Sequence, residues 1–169
     1  MHSSIQIRLG SEADTQLLIG FFDEAVAWMV ARGQTGQWGD RPVASRPNGV
    51  AWVRGLAGSG GLRIAELDHA PAGALIVGAA PEHIPSIDRP ELYINLLITS
   101  RRHAGKQLGS TLVKAAIDEA LAADRQVLRV DCWAGASTLV AWYERQGFNR
   151  TETFDHNGWS GQILSMPLS

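Results

Sequence analysis

Residues 91–123, ELYINLLITSRRHAGKQLGSTLVKAAIDEALAA, read as an apolar strand, a basic turn containing glycine, and a long amphipathic helix. Leu92, Ile94, Leu96, Leu97 and Ile98 form the nearly unbroken apolar run of a strand buried on both faces. Leu108, Leu112, Val113, Ala116, Ile117, Ala120 and Leu121 recur at steps of three and four, which predicts one apolar helix face. Between them lies Ser100-Arg101-Arg102-His103-Ala104-Gly105-Lys106-Gln107-Leu108-Gly109. A turn from a buried strand into a helix start presents free backbone N–H groups, and the helix dipole adds to their pull on anions. Gly105 and Gly109 allow close approach, while Arg101, Arg102 and Lys106 add positive charge. The chemistry implied is a grip on phosphate or pyrophosphate, set against the plainer reading of an ordinary strand-to-helix connection. Neither the three-glycine dinucleotide fingerprint nor a Gly-Lys-Ser/Thr loop ending is present, which disfavours nucleotide hydrolysis.

A second stretch has a related form. Residues 126–148, QVLRVDCWAGASTLVAWYERQGF, read as strand, loop and helix closing on Gly147-Phe148, with Tyr143 four residues before the glycine. Together the two stretches resemble motifs A and B of the GNAT N-acetyltransferase superfamily. Motif A there is Gln/Arg-x-x-Gly-x-Gly/Ala, and Gly109 and Leu112 match its end. The Arg or Gln position falls on Ala104 and the middle glycine on Gln107, so two of the three motif positions differ.

The resemblance implies an α/β (α+β mixed sheet) fold, a mostly antiparallel sheet of about seven strands flanked by about four helices. It further implies acetyl-CoA as acyl donor and direct transfer to an amine within a ternary complex. Backbone groups of Leu97, Ile98 and Thr99 would hold the pantetheine and polarise the thioester, as an oxyanion hole does. Ala104, Gly105, Lys106, Gln107, Leu108 and Gly109 would hold the pyrophosphate, with Arg101 or Arg102 standing in for the missing motif arginine. Tyr143 would be the acid for the departing thiolate, since a phenol stays protonated at neutral pH. From the residues alone, Trp142 and Tyr143 read equally as packing between helix and sheet. The family's Asn near the cofactor is Ala136 here, with Ser137 beside it.

Three groups are candidates for removing an amine proton, namely Glu91, Asp131 and His83, and the residues leave the choice open. A solvated strand-end charge is the plain account of each carboxylate. Cys132 has no recognisable histidine partner, so covalent transfer through a thiolate is rejected. No metal site is expected. A non-catalytic acyl-CoA-binding or interaction module on the same fold is the second reading, based on Ala104, Gln107 and Ala136.

The remainder of the chain bounds these readings. At 169 residues with no linker or repeat, one GNAT-like domain spanning 1–169 is expected. A net charge of −2 gives no reason to expect nucleic acid or an acidic membrane as partner. One cysteine, no long apolar run and no signal-peptide pattern suit a cytoplasmic protein. Ile5-Gln6-Ile7-Arg8-Leu9 alternates as a strand, and Ser11 with Asp14 makes a capping-box start for a helix over 12–32. Residues 50–57 suit a short helix, 62–67 and 72–80 a hairpin, and 149–154 and 161–168 a last strand pair. The acceptor walls are expected from the first helices, the Trp38 loop and the hairpin bearing Trp159. They do not separate a small-molecule amine from a peptide, and they leave a homodimer open.

Overall fold

The computed structural model describes residues 4–36, 38–103 and 106–168. In chain order its elements are β1 (Ile5–Leu9), α1 (Thr15–Val30), α2 (Gly49–Ala57), β2 (Leu62–Leu67), β3 (Ala70–Gly78), β4 (Glu91–Thr99), α3 (Leu108–Ala122), β5 (Val127–Trp133), α4 (Ser137–Arg145), β6 (Asn149–His156) and β7 (Trp159–Pro167). The strands form one seven-stranded sheet in the order β1-β2-β3-β4-β5-β7-β6. Pairs β1–β2, β2–β3, β5–β7 and β6–β7 are antiparallel, and β4–β5 is parallel. This is the mixed α/β sheet with four helices that the sequence leads one to expect.

Two compact units divide the chain. One comprises the residues up to Ile76 with Leu96–Leu112, the other Val77–Asn95 with the residues from Val113 onward. The core of the first unit joins Leu18, Phe21, Phe22 and Ala25 of α1 to Val53 and Ala57 of α2. Leu62, Ile64, Ala74, Ile76, Leu96 and Ile98 from the strands complete it. A smaller cluster in the second unit holds Ile84, Tyr93 and Ile163, with Ala80 and Phe154 against it. Each buried aliphatic or aromatic side chain contributes on the order of 1.5–3 kcal/mol, so α1 is held chiefly by its apolar face.

Local chemistry sets the boundaries. Ser11 Oγ accepts from Ala13 N while Asp14 Oδ2 accepts from Ser11 N, so the capping box forms. It caps a 3₁₀ turn, Glu12–Asp14, and the α-helix begins only at Thr15, later than the apolar period suggests. Asp68 and His69 have φ of 50° and 71°, and Asn157 and Gly158 have 51° and 83°. Both pairs are two-residue turns with the positive φ that hairpins prefer. The strands around them therefore run further into the expected loops, β3 starting at Ala70 and β6 reaching His156. On α3, Leu108, Leu112, Val113, Ala116 and Ala120 are buried as expected, but Leu121 is exposed and lies off the apolar face.

Candidate active site

In the first unit, the site begins where β4 ends. Leu97, Ile98 and Thr99 are its last three residues, and Ser100 N then donates to Ala72 O of β3 at 2.7 Å. A 3₁₀ turn, Arg101–His103, follows, and Lys106 N donates to His103 O at 3.2 Å. Two of the expected cofactor-binding residues, Ala104 and Gly105, lie outside the described residues. Gln107 has φ of 60°, in the left-handed region that glycine enters freely and a side chain resists. The position where motif A carries glycine thus keeps a backbone suited to glycine, although a glutamine occupies it.

α3 starts at once. Thr111 N donates to Gln107 O at 3.1 Å, and the amides of Leu108, Gly109 and Ser110 ahead of it have no acceptor among the described residues. They form the anion-seeking end of a fifteen-residue helix, beside exposed Arg101, Arg102 and Lys106. The residues fit a bound pyrophosphate: donors come from the backbone, and the charges around them are positive.

α1 grips this turn from the side. Glu24 Oε1 accepts from Ser100 Oγ at 3.0 Å and from Arg101 N at 2.5 Å, and Ser100 Oγ accepts from Arg102 N at 3.3 Å. The Trp28 ring holds two guanidinium groups over it, Arg32 at 4.0 Å and Arg101 at 3.9 Å. Trp28 is half-buried and serves as a platform for cations. Arg101 is therefore engaged with α1. Arg102 instead lines a cavity of about 250 Å³ with Leu17, Phe21, Glu24 and Pro71. Glu24 and Trp28 carry no sequence signal of this role, because their partners are more than seventy residues away along the chain. Trp38 caps the core edge-on against Phe22, at 5.2 Å between centroids, and Trp52 packs on the same ring at 5.3 Å.

Tyr143 of α4 belongs to the second unit. It is 4% exposed, with its ring edge-on to Trp142 and Phe148. Burial, with Cys132 and Asp131 nearby, pushes its phenol well above the usual range. The spacing to Gly147-Phe148 has a physical cause. Gly147 N donates to Glu144 O and Phe148 N to Tyr143 O, the double closure of a Schellman cap, and Gly147 has φ of 109°. Ring contact between Tyr143 and Phe148 is the apolar seal that accompanies such a cap. Both the glycine and the apolar pair are therefore needed for the helix to end here.

The three candidate bases have different surroundings. Glu91 is committed to Arg129, which is 2% exposed; Nε meets Oε2 at 2.5 Å and Nη2 meets Oε1 at 3.0 Å. Arg129 Nη2 also donates to Pro85 O at 3.0 Å. Asp131 accepts a hydrogen bond from the buried Tyr93 hydroxyl, and desolvation raises its carboxyl above the ordinary value. His83 stacks on His156 at 4.0 Å and 17°, beside Phe154, which in turn faces Trp159. Cys132 is buried and its thiol is pushed up to about 12, so at neutral pH it carries essentially no thiolate. Among the described residues no group of three or more His, Cys, Asp or Glu could hold a metal ion. Among them, too, no helix is long and apolar enough to cross a membrane.

A buried strand running into a helix whose first amides have no acceptor among the described residues, and a capped helix bearing Tyr143, are features of an acyl-CoA-dependent transferase. The acetyltransferase (GNAT) family model matches residues 23–148, and the chain belongs to that family. It is a GNAT-type acetyltransferase, and the family's acyl donor is acetyl-CoA. No protein of curated function matches it significantly. Among solved structures, a GNAT-family acetyltransferase from Listeria monocytogenes is similar at 21% identity, with 97% of this chain and 95% of that one covered and a TM-score of 0.71. The ribosomal-protein-alanine N-acetyltransferase from Brucella melitensis is similar at 21% identity, covering 96% and 99%, with a TM-score of 0.67. An acetyltransferase from Salmonella typhimurium, solved with its cofactor acetyl-CoA, is similar at 20% identity, covering 98% and 94%, with a TM-score of 0.64. At these identities the likeness is one of fold.

Proposed function

We propose that this protein transfers acetyl from acetyl-CoA to a primary amine, directly, within a ternary complex. The observation that carries the proposal is the left-handed backbone at Gln107 leading into the first amides of α3, which have no acceptor among the described residues. Acetyl-CoA, once bound, supplies an activated acyl group on a thioester. The amides of Leu108 and Gly109 and the charge of Lys106 hold its pyrophosphate, and the backbone of Leu97, Ile98 and Thr99 holds the pantetheine arm. An N–H there polarises the carbonyl in a dry setting, where such a donor is worth far more than in water.

Tyr143 hydrogen-bonds the sulfur as the carbon–sulfur bond breaks. Burial keeps its phenol protonated at neutral pH, so it has a proton to offer that sulfur. Of the three candidate bases, Asp131 has the surroundings of a proton acceptor. Glu91 is occupied by Arg129, whereas Asp131 keeps one oxygen for Tyr93 and its raised carboxyl holds a proton more readily. The high thiol pKa of Cys132 supports direct transfer over an acyl-enzyme. The amine itself, whether a small molecule or a peptide, is set by walls that the family leaves variable.

Calorimetric titration with acetyl-CoA, followed by thiol detection of CoA release across a panel of amines, tests the proposal. Saturable one-site binding and amine-dependent release are expected. Binding without release from any amine would favour the non-catalytic module, and no binding at millimolar acetyl-CoA would refute both readings. Tyr143→Phe should lower kcat by about 100-fold while acetyl-CoA affinity stays within about twofold. An unchanged kcat in a folded variant would reduce Tyr143 to its part in the helix cap.

A further inference from the structure

We propose that Glu24 and Trp28 of α1 are positioning residues for the acetyl-CoA turn, fixing its start so that the α3 amides remain free and aimed at the pyrophosphate. The inference rests on the reading of that turn as the pyrophosphate grip.

The stretch leaving β4 is held at its first two residues from two sides. On the sheet side, Ser100 N is bonded to Ala72 O. On the helix side, one carboxylate oxygen of Glu24 takes both the Ser100 hydroxyl and the Arg101 amide. This bond removes the Arg101 N–H from the set open to an anion and caps the head of the 3₁₀ turn, as Ser100 Oγ also does through Arg102 N. Trp28, one helical turn beyond Glu24 on the same face, takes the Arg101 guanidinium over its ring. That side chain is thereby drawn toward α1.

A carboxylate beside an anion site carries an electrostatic cost. Glu24 stands beside Arg101 and Arg102, and Lys106 follows in the same turn, so what it adds is geometry, and the charge balance of the turn stays positive. A turn fixed in advance need not be ordered by the ligand, and affinity is gained through that saving. A salt bridge on the surface would not produce this pattern, since both Glu24 bonds go to the segment's own backbone and cap.

Calorimetry with acetyl-CoA on Glu24→Ala, Glu24→Gln and Trp28→Leu, each checked by thermal unfolding, tests the assignment. Glu24→Ala should bind about tenfold more weakly with a nearly unchanged melting temperature, and amide exchange over residues 100–103 should quicken without ligand. Glu24→Gln keeps an acceptor oxygen and should stay within about threefold of the parent. Trp28→Leu should lose about threefold to fivefold, and it carries the test alone should Glu24→Ala fail to fold. Parent-like binding by both Glu24→Ala and Trp28→Leu would overturn the assignment, as would tighter binding by both Glu24 variants. Failure of the parent itself to bind acetyl-CoA would instead remove the reading beneath it.

Discussion

Gln107 occupies a backbone conformation that costs a side chain about 1–2 kcal/mol and costs glycine almost nothing. Among the described residues no bond to its side chain offsets that cost, and its carbonyl is what serves the helix, accepting from Thr111 N and Thr111 Oγ1. Gln107→Gly should therefore raise the melting temperature by about 2–4 °C, the shift that ~1 kcal/mol gives in a chain of this size. Acetyl-CoA affinity should hold or improve. A fall in both, by thermal unfolding and calorimetry, would mean that the glutamine side chain supports the turn. The sequence told only half of this. Counting back from Gly109 located position 107 and registered the missing glycine, but whether the backbone had kept its path was a matter of dihedral angle, which no residue type reports. Tyr143 is the reverse case, because the Tyr-Gly-Phe spacing read as chemistry by resemblance and is also a Schellman cap with its apolar seal.

Elements were legible wherever one residue type forces a local geometry. The Ser11 capping box and the Gly147-Phe148 close of the Tyr143 helix each announced themselves. What stayed hidden was pairing through space. In α1, consecutive residues reach in different directions: Phe22 packs on Trp38 and Trp52, Asp23 Oδ1 accepts from Val43 N at 2.8 Å, and Glu24 takes Ser100 Oγ and Arg101 N. A helical period records only the apolar one of these three. Glu91 is a second case, for it reads as a strand-end charge and proves to be half of a buried ion pair between neighbouring strands β4 and β5. Removing one member leaves the other charged, desolvated and alone, at a cost of about 3–5 kcal/mol. Glu91→Ala should show that loss in urea unfolding, whereas Glu91→Leu with Arg129→Met should recover most of it. A single variant costing less than about 1 kcal/mol would mean that water reaches the guanidinium.

At the scale of the whole molecule, the weakly ionising groups agree in one direction. The chain has two tyrosines and one cysteine. Burial raises both phenols, at Tyr93 and Tyr143, and the Cys132 thiol to about 12. In each, the folded state holds its proton to higher pH than the unfolded chain does. Their contribution to stability is therefore complete below the unfolded pKa values, about 8.5 for the thiol and about 10 for the phenols, and is lost as pH rises beyond them. Between pH 10 and 12 each group steepens the loss by up to about 1.4 kcal/mol per pH unit. The native protein should accordingly show no phenolate absorbance step near pH 10. Ionisation of both tyrosines should appear together with the loss of helix signal, as one transition well above that pH. A separate phenolate step in folded protein near pH 10 would mean that a phenol is open to water. If that step vanished in Tyr143→Phe, the open phenol would be the one assigned to the departing sulfur, and the buried setting described for it would fail with it.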